Sequence, residues 1–177
     1  MTGDSPSAEV LAEELSVVVA RLQHSDAQPM FGFVRRLGLT DEQADDAVQE
    51  VFSRLLAEHR RGIGIANPRA WAYRTIYRLA MDQHRLRARL RALIGRLEGT
   101  PTGPSSDATD RIAVWAEVDR LPPRQRQVIY LRYRSDLEYA EIGQVLGISG
   151  SAARSHATQA MATLRARLAA TVEDLVV

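Results

Sequence analysis

The chain has no cysteine, which excludes disulfides, thiolate metal sites, thiol nucleophiles and direct thiol redox sensing. Lysine is missing too, so every basic residue apart from histidine is an arginine. A GC-rich coding sequence explains that usage more simply than a demand for guanidinium groups does. No apolar run approaches membrane-spanning length, and the start Met1-Thr2-Gly3-Asp4-Ser5 lacks the basic and apolar regions of a signal peptide. A cytoplasmic protein without membrane insertion is therefore expected. There is no Gly-rich phosphate loop and no nucleophile elbow. His24, His59, His84 and His156 are scattered without metal-ligand spacing, and Asp45, Asp46 and Glu50 have no convergent ligands from another segment. The expectation is a protein with no catalytic residues, no metal and no cofactor: not an enzyme.

What is present is strongly patterned. The formal charge is only +1, yet residues 1–50 carry ten acids against three arginines, and residues 51–96 carry eleven arginines against two acids. Segment charges of −7 and +9 suit a protein that holds nucleic acid on one surface and a protein partner on another. Internal neutralisation of one helical domain is the plainer alternative.

Apolar periodicity predicts helices throughout and no strand. Leu11, Leu15, Val18 and Leu22 mark a first helix over residues 7–24, and a second short one is expected from Pro29 to Leu37. Thr40 and Gln43 form a capping box, after which Ala44, Val48, Val51, Phe52 and Leu55 line the buried side of a helix ending near His59. Asp45, Asp46, Gln49, Glu50 and Ser53 share its polar side. Arg60 to Ala66 reads as a loop, and Asn67-Pro68 as the cap and first turn of a long helix. Trp71, Ile76, Leu79 and Ala80 suit a core there. Further along, Arg85, Arg87, Arg89, Arg91 and Arg96 project in several directions, downstream of Trp71, Tyr73 and Tyr77. Arginines beside aromatics suit a surface that tracks phosphates and stacks on exposed bases, although packing explains Trp71 better.

Glu98 to Asp110 reads as a linker between two domains. A short helix with Ile112, Trp115 and Val118 follows, broken by Leu121-Pro122-Pro123, and then a helix lined by Val128, Ile129 and Leu131. Leu137 to Ser149 next forms a helix-turn-helix, with Leu137, Ile142, Val145 and Leu146 as its apolar stripe and Gly147 at the turn. Residues 150–168 become the candidate recognition helix, whose Ser151, Arg154, Ser155, His156 and Gln159 suit phosphates and base edges.

The order Ala44-Asp45-Asp46-Ala47-Val48-Gln49-Glu50-Val51-Phe52, then Trp71-Ala72-Tyr73-Arg74 through Asp82, the arginine-rich extension, a linker, Leu121-Pro122-Pro123-Arg124-Gln125-Arg126 and the helix-turn-helix resembles a group IV (extracytoplasmic-function) sigma factor of the sigma-70 family. The resemblance covers almost the whole chain. It implies an all-α fold of two small domains: a region 2-like bundle over 1–97, a flexible linker over 98–110 and a region 4-like helix-turn-helix domain over 111–177. It further implies an alternative sigma factor that binds core RNA polymerase, directs it to promoters and helps melt the minus-ten region. Asp45, Asp46, Gln49, Glu50 and Phe52 would dock on the beta-prime clamp helices. Arg60, Arg61, Asn67, Arg74, Tyr77, Arg78, Arg85, Arg87 and Arg89 would hold minus-ten DNA. The last domain would sit on the beta flap, with Arg124, Arg126, Ser151, Arg154, Ser155, His156 and Gln159 at the minus-thirty-five element. An anti-sigma factor is an expected partner.

The chain departs from the family pattern at four positions. Arg78 stands where asparagine is common, Ala153 where valine is usual, and His156 and Gln159 at positions often arginine. An amide and a neutral imidazole gain less from phosphates than a guanidinium does, so weak autonomous promoter binding is expected. Two other functions fit the motifs: a sigma-like adaptor that does not initiate, and a DNA-binding regulator using the helix-turn-helix alone.

Overall fold

The computed structural model describes the backbone of residues 8–94 and 113–175, with side-chain environments from 17 to 90, at 92 and from 114 to 169. The linker over 98–110, the side chains of Leu11, Leu15, Arg91 and Arg96, and Ile112 lie outside the described residues. Seven helices and no strand make up the described part: α1 (Ala8–Arg36), α2 (Asp41–Arg60), α3 (Pro68–Ile94), α4 (Ala113–Asp119), α5 (Pro123–Tyr133), α6 (Tyr139–Leu146) and α7 (Gly150–Leu175).

The capping chemistry falls where the residues demand it. Thr40 Oγ1 accepts from the Gln43 N–H at 3.3 Å while Gln43 Oε1 accepts from the Thr40 N–H at 3.1 Å, so α2 starts on a reciprocal box. Asn67 Oδ1 accepts from the Ala70 N–H at 2.9 Å and opens α3. Gly147 takes φ 68° and ends α6, and Ser149 Oγ then accepts from the Ala152 N–H at 3.1 Å to begin α7. At Gly143 an added Cβ would lie 2.7 Å from the Ile148 carbonyl oxygen, so the two arms of the helix-turn-helix meet as closely as backbone allows.

One element differs from expectation. The first two predicted helices are a single helix, α1, with Pro29 inside it. A proline here removes one N–H donor and strains a turn, but Met30, Phe33 and Val34 follow immediately and are almost completely buried. Their packing on α2 and α3 holds the helix through a residue that by local preference would begin a new one.

The first three helices enclose Met30, Phe33, Val51, Leu55, Tyr73 and Ile76, and the last three enclose Val128, Leu131, Leu137, Ile142 and Ala153. These two sets belong to one continuous core, because α5 and α6 pack on α1 and α3. A smaller cluster of Val118, Leu121, Ile129, Ala160 and Leu164 seats α4 on α7. Tyr130 of α5 is the wedge between the halves. Its ring stacks on Phe33 at 5.7 Å, its edge meets Trp115 at 5.7 Å, and its hydroxyl donates to the Pro29 carbonyl at 2.8 Å. Arg36 at the end of α1 lies 4.9 Å from the Tyr130 ring centre and pairs with Asp119 of α4 at 2.9 Å.

Candidate nucleic-acid and protein interfaces

On α2 the apolar stripe is turned inward, which leaves Asp45, Asp46, Gln49, Glu50 and Ser53 exposed together. Glu50 accepts from Arg54 one turn later at 2.6 Å. A shallow groove runs beside this face, where Asp46, Gln49 and Glu50 meet Leu79 and Gln83 of α3. Phe52, expected on the docking face, is buried in the core at 5% exposure. Its position follows from helical geometry: it lies one turn beyond Val48 on the inward stripe. The acidic surface therefore consists of the polar residues alone.

The arginine-bearing face begins where α2 ends. Arg60 and Arg61 are exposed, Arg61 near Glu58 at 3.6 Å. The loop Ile63–Ala66 and Asn67 border a cleft closed by Trp71 and Arg74 of α3 and by Gln144 of α6. Trp71, expected in the core, is half-buried: it packs against the core and also lines that cleft. Tyr73, grouped in sequence with the base-stacking aromatics, is wholly buried, and its hydroxyl donates to Asp26 at 3.2 Å. Burial pushes the Tyr73 phenol pKa far above its ordinary value, with the nearby Asp26 carboxylate adding to the rise. Tyr77 stays half-exposed, as stacking needs. Arg78 is exposed, Arg85 pairs with Asp82 at 3.4 Å, and Arg89 is exposed. Arg87 instead folds back on the body, donating to Gln43 and, at 3.4 Å, to the Gly38 carbonyl.

In the helix-turn-helix, Ala153, Ala157 and Ala160 face the core, so Ser151, Arg154, Ser155 and Gln159 are left outward and exposed. His156 is half-buried beside them. The Arg154 guanidinium rests 5.1 Å from the ring centre of Tyr139. Arg124 is exposed at the start of α5, but Arg126 is half-buried and donates to the Asp119 carbonyl at 2.9 Å, bracing the α4–α5 corner. That contact turns Arg126 away from the surface assigned to DNA.

Two contacts run from the loop-and-α3 face to α5 and α6. Arg124 Nη1 donates to the Tyr77 hydroxyl at 3.0 Å, and the Asn67 amide donates to the Glu141 carboxylate. Sequence reasoning did not single out Asp26, Gly32, Arg36, Tyr130 or Gln144. No local signal points to Asp26, which stands in the polar stretch Gln23-His24-Ser25-Asp26 yet is buried and paired with Arg69 at 2.8 Å.

Residues 24–90 match the Sigma-70 region 2 family, and residues 118–166 match the Sigma-70 region 4 family, in that order. The chain belongs to the sigma-70 family. Its relatives SigJ and SigI of Mycobacterium tuberculosis are described as ECF RNA polymerase sigma factors, SigI as a probable one. The chain is 32% identical over 152 residues to the ECF RNA polymerase sigma factor SigJ of Mycobacterium tuberculosis, an alignment covering 79% of this chain and 48% of that one. It is 26% identical to the RNA polymerase sigma factor SigV of Bacillus subtilis, over 76% of this chain and 80% of that one. The chain spans about half the length of the SigJ and SigI relatives it matches. Two solved structures share the fold. CnrH in complex with the cytosolic domain of CnrY aligns over 92% of this chain and 95% of its own, with TM-score 0.57 and 22% identity. The sigma factor RpoE in complex with the anti-sigma factor NepR, from Bartonella quintana, aligns over 88% and 94%, with TM-score 0.59 and 20% identity. The region 2 match thus falls on α1–α3, and the region 4 match runs from the end of α4 through α5, α6 and most of α7.

Proposed function

We propose that the chain is an alternative sigma factor of the cytoplasm that binds core RNA polymerase, directs it to promoters and helps melt their minus-ten region. The observation that carries this reading is the set of three exposed surfaces in one chain: a clustered acidic face on α2, arginines along the 60–67 loop and α3, and the outward polar residues of α7 in the helix-turn-helix. An acidic helical surface suits a basic protein partner such as the beta-prime clamp helices. The loop-and-α3 face suits displaced single-stranded DNA. In this reading melting is driven by binding energy, the sequence carrying no Gly-rich phosphate loop; unstacking costs a few kcal/mol per step and is offset by contacts to the opened strand. Arg78, His156 and Gln159 make the promoter contacts weaker or different from the family's common ones. An anti-sigma factor is a further partner in this reading, supported by the two solved structures above, RpoE in complex with the anti-sigma factor NepR and CnrH in complex with the cytosolic domain of CnrY.

Run-off transcription on genomic fragments with cognate core polymerase tests the proposal. Specific initiation is expected, and Asp46→Arg with Glu50→Arg should weaken capture of core at physiological salt by at least tenfold, about 1.4 kcal/mol, without loss of helicity. Capture of core without initiation would mark an adaptor. DNA binding with no capture of core would mark a simple regulator.

A further inference from the structure

We infer that Tyr139 is a specificity-determining positioning residue: its ring holds the Arg154 guanidinium in the pose from which that side chain reads DNA. The inference rests on the reading above of α7 as the promoter-reading helix and names the residue through which its arginine is presented. Arg154 is exposed, and its guanidinium carbon lies 5.1 Å from the Tyr139 ring centre, within reach of a cation–π contact. Among the described residues, none accepts a hydrogen bond from the Arg154 side chain. A π face attracts the cation without engaging its N–H groups, so the planar fork is restrained while its donors stay open to a guanine edge or a phosphate. Arg124 and Arg126 show the other outcome, since they donate to the Tyr77 hydroxyl and the Asp119 carbonyl. An arginine free on an open surface samples many rotamers, and ordering them opposes binding; contact with the ring does part of that ordering before DNA arrives.

Local structure fixes the ring. Tyr139 is the first residue of α6, and the chain just before it is held by the Glu138 N–H, which donates to the Glu141 carboxylate at 2.7 Å. Arg132 reaches across from α5, donating to the Leu137 carbonyl at 3.0 Å and to the Glu138 carboxylate at 2.9 Å, with its guanidinium 5.4 Å from the same ring centre. Glu138 balances that second cation, which lessens its repulsion of Arg154. Tyr139 also packs against the core. Gly150, the first residue of α7, sets the approach from the other side. A Cβ there would lie 3.2 Å from the Ala140 Cα and 3.3 Å from the Tyr139 carbonyl oxygen, so the missing side chain lets the start of α7 lie against the start of α6. Arg154 follows one turn later on the same side of α7, which brings its guanidinium to the Tyr139 ring.

Holoenzymes carrying Tyr139→Leu, Tyr139→Phe, Arg154→Ala, or Tyr139→Leu together with Arg154→Ala test this. The probe is a promoter fragment recovered in the run-off assay above, with a library of it randomised across the upstream element. Tyr139→Leu should weaken binding by about two- to fivefold, the fold-change that corresponds to an exposed cation–π contact, and should relax selection at the same base pair that Arg154→Ala relaxes. Tyr139→Phe keeps the ring and should match the wild type. In the Arg154→Ala background, Tyr139→Leu should have no further effect, because a positioning residue acts only through the group it positions. Nuclear magnetic resonance of the free chain gives a readout without DNA: a ring-current shift of the Arg154 side chain should persist in Tyr139→Phe and vanish in Tyr139→Leu. Equal losses from Tyr139→Leu in both backgrounds would make Tyr139 a packing residue and overturn the inference. A loss in Tyr139→Phe that persists without Arg154 would make the hydroxyl itself a DNA contact and overturn it likewise. Should Tyr139→Leu lose helicity by circular dichroism, Tyr139→Met decides by the same criteria. A loss with Arg154→Ala that Tyr139→Leu does not share would overturn the inference alone, whereas identical binding and selection by wild type and Arg154→Ala would remove Arg154 from the promoter-reading surface and the inference with it.

Discussion

Arg154 shows how a single residue's role depends on which neighbours are turned inward. The alanines at 153, 157 and 160 are buried, which leaves Arg154 on the outer face beside Ser151 and Ser155. Its guanidinium lies on Tyr139, 5.1 Å from the ring centre, and Arg132 approaches the same ring at 5.4 Å. Replacing Arg154 by alanine should cost about 1–3 kcal/mol of promoter affinity and relax discrimination at one base pair if it reads a guanine. Selection of promoter variants with the two holoenzymes measures this; a uniform loss on all sequences would make Arg154 a phosphate clamp. Asp26 illustrates the opposite case, a charge whose importance is internal. It is 1% exposed and held by Arg69, Ser25 and Tyr73, so it ties α1 to α3.

At the scale of elements, α3 changes from a buried strut to a cationic arm within one continuous helix. Its first half buries Ala72, Tyr73, Ile76 and Ala80, whereas Arg85 and Arg89 stand exposed beyond the bundle and Arg87 is bonded back to it. Neutralising Arg85 and Arg89 should therefore lower open-complex yield and reduce the salt slope of DNA binding by up to about one unit per lost phosphate contact. Arg87→Gln should alter the slope less and stability more. Titrations of holoenzyme binding at several salt concentrations, with thermal melts alongside, separate the two roles. The helix-turn-helix depends on a different feature, the closeness of α6 to α7. Gly143→Ala would place a methyl against the Ile148 carbonyl and the Gly150 N–H, so a loss of about 1–3 kcal/mol in thermal or urea unfolding is expected. A stability equal to wild type would show that the turn can relax.

For the whole molecule, the buried phenols at the junction of the two units impose a pH dependence. Burial raises the pKa of both Tyr73 and Tyr130 above the ordinary 10.0, with the Arg36 and Arg134 charges partly opposing the rise at Tyr130. The unfolded phenols ionise near 10, while the folded ones remain neutral at that pH. Stability contributed by these groups is thus fully present below pH 10 and falls as pH rises beyond it towards their folded values. Urea melts across alkaline pH should show this loss, and phenolate absorbance should reveal tyrosines that ionise only with unfolding. Ionisation of all five tyrosines near pH 10 without any loss of structure would contradict the burial of this pair.

Much of the architecture was legible in the chain itself. Capping at Thr40 and Asn67, the break at Pro122-Pro123, the turn at Gly147 and the apolar stripe of α2 are local signals, and helices followed from them because each depends on residues within a few positions of one another. The acidic α2 face was legible for the same reason: with the stripe assigned, the outward residues are its complement. Tertiary packing decided what local signals leave open. Whether Pro29 starts a helix or is carried through one depended on the burial of Met30, Phe33 and Val34, and whether Tyr73 faces bases or Asp26 depended on a partner 47 residues away. Phe52 lies inward by the local stripe of α2 itself, and Arg126 turns onto the Asp119 carbonyl only seven positions back, a contact that depends on the α4–α5 corner. The packing of the two units on each other was the least legible feature, since the Tyr130–Pro29 bond joins residues 101 positions apart and rests on an unmarked glycine at position 32. Periodicity records which face of a helix is buried; it does not record what buries it, and that distinction belongs to the tertiary structure.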